Sequence, residues 1–165
     1  MSPKLTRRDR QSGSMLLEGL IALLIFSMGI LAIVGMQASA VKASSDAKYR
    51  SEACLLANEL IGKMWVSDRT QATLQAAFAS PAGAAYTQWA WVGSGTTAGT
   101  AAAPATGTVL EMLPGADAAA NLPTVVIVPV TTTTPASSLV TVTVYWQAPT
   151  ETSRHSFVAT AQIGG

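Results

Sequence analysis

Charge is what this sequence has least of. Asp, Glu, Lys and Arg make up 12% of its 165 residues, where a soluble domain carries about 25%. Ten basic residues stand against nine acidic ones, so the basic excess of a nucleic-acid-binding domain is missing. A lone cysteine, Cys54, excludes an intramolecular disulfide and a cysteine-based zinc cage. A lone histidine, His155, leaves little material for acid–base catalysis. No Walker A motif and no G-x-S-x-G elbow occur. Apolar residues nevertheless reach 49%. That excludes a disordered chain, and the length fits one domain plus an added segment.

The few charges are unevenly placed. Residues 1–13 hold Lys4, Arg7, Arg8 and Arg10 against Asp9, a net of +3. Residues 70–165 hold only Glu111, Asp117, Glu151 and Arg154. That stretch offers no electrostatic footprint for nucleic acid. Between the two lies Met15–Met36, 22 residues whose one charge is Glu18. About 20 apolar helical residues span a bilayer core, so 15–36 reads as a transmembrane helix. The basic cluster before it keeps the N-terminus cytoplasmic and sends the remainder across the inner membrane. The competing reading is an ordinary secretory signal cut after Ala38-Ser39-Ala40. Its apolar core is longer than the usual range of about 7–15 residues.

Glu18 requires its own account. An unpaired carboxylate in hydrocarbon costs several kcal/mol. Either it snorkels to the cytoplasmic interface, or it has a partner. Cleavage between Gly13 and Ser14 supplies one, a new amine one helical turn before Glu18. The amine of one subunit then neutralises Glu18 of the next and fixes the register between them.

This pattern of a basic leader ending in glycine, then an apolar helix with glutamate at its fifth position, resembles the class III leader of type IV pilins and pseudopilins. The matching residues are Gly13-Ser14-Met15-Leu16-Leu17-Glu18. The chain departs from the common pattern at Ser14 and Met15, where the family carries phenylalanine and threonine. The resemblance implies a cleaved leader (1–13), prepilin peptidase cutting between Gly13 and Ser14, N-methylation of Ser14, and Glu18 as the assembly glutamate. The partners it implies are other major and minor pilins, the prepilin peptidase, an inner-membrane assembly platform, and lipid before assembly. Cofactor, metal and catalysis are not implied. Leu31–Gln37, Leu56-Ala57-Asn58, Leu113-Pro114-Gly115 and Tyr145-Trp146-Gln147 resemble segments of the minor pilins of type IV pili, and a type II secretion pseudopilin is the runner-up.

Helical spacing continues past the apolar run. Ala47, Ala53, Leu56, Leu60, Met64 and Trp65 recur along one stripe, widened by Leu55 and Ile61, and Lys48–Glu52 and Glu59–Lys63 form i,i+4 pairs. One helix over 14–68, roughly 80 Å long, is expected. Gly19, Gly29 and Gly35 interrupt its first half, either as close-packing points in a membrane helix or, at Gly35, as a place for local melting. Cys54 beside the stripe is expected to pack as a small hydrophobe.

Residues 69–165 are expected to form the β domain. A short helix is predicted over 69–80, with Leu74 and Phe78 on one face. Trp89 and Trp91 share a face if their segment is extended. The Gly-, Ala- and Thr-rich stretch 93–108 reads as a surface loop. Its G-x-G-x-x-A match lacks the flanking strand and helix of a dinucleotide site. Residues 109–113 fit a helical turn or a strand. Strands are predicted at 124–130, 140–146 and 156–163. Val140, Val142, Val144 and Trp146 point one way in the second, and Phe157, Ala159, Ala161 and Ile163 in the third. Pro129 places the first at an edge or at its own end. The expected fold is therefore α+β and pilin-like, a long N-terminal helix whose second half packs on a small antiparallel sheet.

Catalytic readings find little support. A metal would need His155 with Glu111, Asp117 or Glu151, without ligand spacing. His155 is expected at a strand end, with Glu151 and Arg154 decorating a turn. Trp89, Trp91 and Trp146 are expected in a core or interface, the alternative being stacking on a sugar or a single strand.

Overall fold

The computed structural model describes residues 11–91, 106–131, 136–149 and 151–164. Most of the predicted loop 93–108 and the leader residues 1–10 lie outside them. The chain divides into two units, residues 1–45 and 46–165.

Helix α1 runs Gln11–Val66 without interruption. No proline falls between Pro3 and Pro81, so nothing removes a backbone donor along this length. In the first unit every side chain described from Gly13 to Ser44 is exposed. Met15, Leu16, Leu31 and Met36 are each more than 70% exposed. In the second unit the helix buries Ala53, Leu56, Ala57, Leu60, Ile61 and Met64. The stripe is narrower than expected and rotated. Ala47, Leu55 and Trp65 are exposed, while Ala57 is fully buried and Tyr49 packs at the margin. The i,i+4 pairs form as expected, Lys48–Glu52 at 3.7 Å and Glu59–Lys63 at 2.7 Å.

Asp68 turns the chain into α2 (Gln71–Phe78). Its carboxylate accepts the Thr70 N–H at 3.0 Å and the Thr73 hydroxyl at 3.2 Å. The Thr70 backbone bond, foremost, holds its pKa below the usual value. Leu74 and Phe78 are buried, on the face anticipated. Residues 84–90 then form α3 (Ala84–Ala90), so Trp89 and Trp91 do not share the face of an extended segment. Trp89 is buried in the helix. Trp91 caps it in the left-handed region at φ 61°. Gly83 is required before this helix, because a Cβ there would lie 2.5 Å from the Ala77 carbonyl oxygen. The 109–113 ambiguity resolves to a single helical turn, α4 (Val109–Met112).

Three strands follow, β1 (Thr124–Val130), β2 (Ser137–Trp146) and β3 (His155–Gly164). They form one antiparallel sheet in the order β1-β2-β3. β2 begins three residues earlier than expected and buries Val140, Val142, Val144 and Trp146 on one face. Pro129 sits in the edge strand β1, opposite Ser138. The missing donor of proline is harmless at such a place. Gly115, at φ +65°, closes the Leu113-Pro114-Gly115 turn against β2's exit, where the Gln147 N–H bonds the Pro114 carbonyl at 2.9 Å. The core of the second unit unites these valines with α1, α2, α3 and Ile163. The whole is an α+β arrangement of a long apolar helix and a small antiparallel sheet.

Candidate functional site

Two places carry the chemistry the sequence singles out. The first is the start of α1. Gly13, Ser14 and Glu18 all lie on this helix and are exposed. Ser14 and Glu18 are four apart, so they stand one above the other on the same helical face. From Met15 to Met36 no side chain is covered by the fold, and the helix is long and apolar enough to cross a membrane. A surface of this kind in water loses about 25 cal/mol for each Å² left uncovered. This makes α1 a candidate membrane span by its length and composition.

The second place is the entrance to β3. The His155 ring stacks on Trp146, with centroids 5.7 Å apart and planes inclined by 16°. Its Nε2 lies 2.5 Å from Glu151 Oε2, and its Nδ1 lies 3.6 Å from Asp46 Oδ1 on α1. The two nitrogens of an imidazole point apart, so the carboxylates flank the ring instead of meeting it at a common point. Accordingly no group of three His, Cys, Asp or Glu among the described residues is arranged to hold a metal ion. Glu111 is occupied elsewhere, its carboxylate accepting the Gly107 N–H at 2.8 Å. Asp117 is exposed. Arg154 donates to the Ala120 carbonyl and lies 4.7 Å over the Tyr145 ring. Each residue at this end thus ties one segment to another. Asp46 was not singled out from sequence, although its spacing to Tyr49 and Ala53 places it on the helix face turned to the core.

The tryptophans read as core or margin in the same way. Trp89 is buried, and its Nε1–H donates to the Leu56 carbonyl of α1 at 3.1 Å. Trp146 is buried, with its Nε1 lacking an acceptor among the described residues. Tyr86, buried beside Trp89, donates its hydroxyl to the Pro123 carbonyl at 2.7 Å, and burial pushes its pKa up to about 12. Cys54 is partly buried and accepts a bond from Asn58 Nδ2 at 3.3 Å. An open groove of about 290 Å³ lies between Arg69-Thr70-Gln71 and the β1–β2 connection, with Arg69 as its charged side chain.

No family model, curated protein or solved structure matches the chain.

Proposed function

We propose that the chain is a structural subunit of a type IV pilus, a minor pilin of the PilV type. It waits in the inner membrane with residues 69–165 in the periplasm, then enters a filament through its apolar helix. It helps prime assembly and pilus display, with an influence on adhesion. Cleavage between Gly13 and Ser14 and methylation of Ser14 come first. Removing residues 1–13 takes away a net charge of +3 and changes the total from +1 to −2.

One observation carries this reading: a single carboxylate, Glu18, lies on an otherwise uncharged and wholly uncovered helical surface, one turn from Ser14. In lipid an uncompensated charge at that depth costs several kcal/mol. Paired with the Ser14 amine of an adjacent subunit, it becomes a register mark between helices. The remaining apolar side chains then exchange lipid for other helices, which is nearly neutral in hydrophobic energy and leaves packing to decide.

Intact mass of the mature protein, recovered from membranes, tests the reading. The expected product starts at Ser14 and carries one added methyl group. Glu18→Ala is expected to abolish incorporation into filaments while leaving the protein in the membrane. A product starting at Val41 would mark an ordinary exported protein, and persistence of residues 1–13 would mark a simple membrane tether. Either result overturns the proposal.

A further inference from the structure

The entrance to β3 holds the chain's one histidine between two carboxylates from distant parts of the sequence. His155 Nε2 meets Glu151 Oε2 at 2.5 Å, so a proton lies between them. Imidazole is the stronger base of the two and holds that proton. A neutral ring then presents Nδ1 as a bare lone pair. Nδ1 faces Asp46 Oδ1 at 3.6 Å, within ion-pair range and beyond a hydrogen bond. A lone pair and a carboxylate repel, whereas an imidazolium N–H and a carboxylate attract. Stacking on the buried Trp146 holds the plane of the ring. Position gives the pair its leverage. Asp46 is the first residue of the second unit, and every side chain described from Gly13 to Ser44 is exposed. Among the described residues, Tyr49 is the one apolar side chain of α1 that packs on the core ahead of Ala53.

We propose that His155 is a proton-operated clamp on the start of the docked part of α1. Protonated, it joins Asp46 of α1 to Glu151 of the β2–β3 connection. Neutral, it keeps Glu151 and releases Asp46. About 10 Å of helix, from Asp46 to Ala53, then has Tyr49 as its remaining apolar anchor. The clamp holds in acid and loosens as pH rises. Other charges stand near it. On α1, Lys42 and Arg50 lie four residues to either side of Asp46, and Glu52 pairs with Lys48. Next to His155, Arg154 is committed to the Ala120 carbonyl and the Tyr145 ring. β2 carries no charged side chain, and β3 none after His155. The His155 and Asp46 side chains are 34% and 47% exposed. Solvent and basic residues at that helical spacing weaken the pair, so the clamp trims the attachment of the helix and is not its main support. This inference does not depend on the filament reading, since it concerns the second unit alone.

A double-mutant cycle on the full-length chain in detergent tests the clamp. Thermal midpoints are followed by near-ultraviolet circular dichroism for the parent, Asp46→Asn, His155→Phe and the double variant. Each is measured at about pH 5 and about pH 8, the range over which histidine changes charge. Phenylalanine keeps a ring over Trp146 and has no ring proton to lose. Carboxylates are ordinarily ionised at both values, and the chain has no second histidine. The coupling between positions 46 and 155 is expected to be about 1–4 °C in acid. At the higher pH it should vanish or reverse in sign. A coupling that is absent in acid, or the same at both values, overturns the proposal. Should His155→Phe fail to fold, His155→Gln takes its place in the same cycle and is read by the same criterion.

Discussion

The hydroxyl of Ser80 is a small group with a large assignment. It accepts the Val125 N–H at 3.0 Å and bonds the Val125 carbonyl at 3.2 Å. Val125 is 1% exposed, so water does not replace what the hydroxyl supplies. Ser80→Ala leaves the Val125 N–H buried without an acceptor, while the carbonyl keeps the Ser80 N–H at 3.1 Å. The orphaned donor sets the cost at about 1–3 kcal/mol. For a protein of this size each kcal/mol moves the midpoint by about 2–4 °C, which places the expected loss at about 2–12 °C. Thermal melting of the detergent-solubilised chain, followed by near-ultraviolet circular dichroism, reads it directly. Ser80→Thr keeps the oxygen and should recover most of the loss. A Ser80→Ala midpoint within about 1 °C of the parent would show that the β1 edge is not held by this hydroxyl.

Tyr86 makes stability fall in alkali. Its folded pKa, about 12, lies above the ordinary value of 10.0, so the neutral phenol favours the folded state. Its contribution is whole below pH 10 and is lost as pH rises through the folded value. Tyr86→Phe should flatten the stability profile between pH 10 and 12 while costing about 1 kcal/mol at neutral pH for the bond to Pro123; a profile as steep as the parent's would refute the assignment. Gly83→Ala forces a Cβ to 2.5 Å from a backbone oxygen, and overpacking of this kind costs about 1–3 kcal/mol. Urea unfolding should show a lower midpoint with an unchanged slope, and an unchanged midpoint would mean the Ala77 turn yields freely.

The elements that were legible in sequence are those whose pattern alone decides their structure. The alternation in Val140–Trp146 leaves a strand one choice of face, and the apolar run Met15–Met36, whose one charge is Glu18, reads as a long helix. Leu74 and Phe78, four apart, give α2 its buried side. Trp89 and Trp91 were read from spacing, and spacing alone cannot tell two residues on a strand from two at a helix end. Gly83 before Ala84-Ala85 starts a helix there, and the backbone turns at Trp91. Along α1 the apolar stripe is wide enough to admit several rotations. Which of Leu55, Ala57 and Trp65 points inward is decided by packing in the finished core, where Ala57 is buried and the other two are exposed. The His155 cluster was half visible. Glu151 is local to it, whereas Asp46 arrives from the far end of the sequence by tertiary packing. Gly13, Ser14 and Glu18 stand out without any tertiary help, since one carboxylate in an apolar run is a local anomaly.

Ile163 belongs to the same core as Leu56 and Leu60 of α1, and β3 pairs with β2 along its whole length. More than a hundred residues of chain must therefore emerge between the first and last contributors to one hydrophobic interior. The second unit cannot complete its core until its last strand is present. α1 can form as soon as it is made, whereas the sheet must wait for its final strand, which makes the order of closure a property written into the topology.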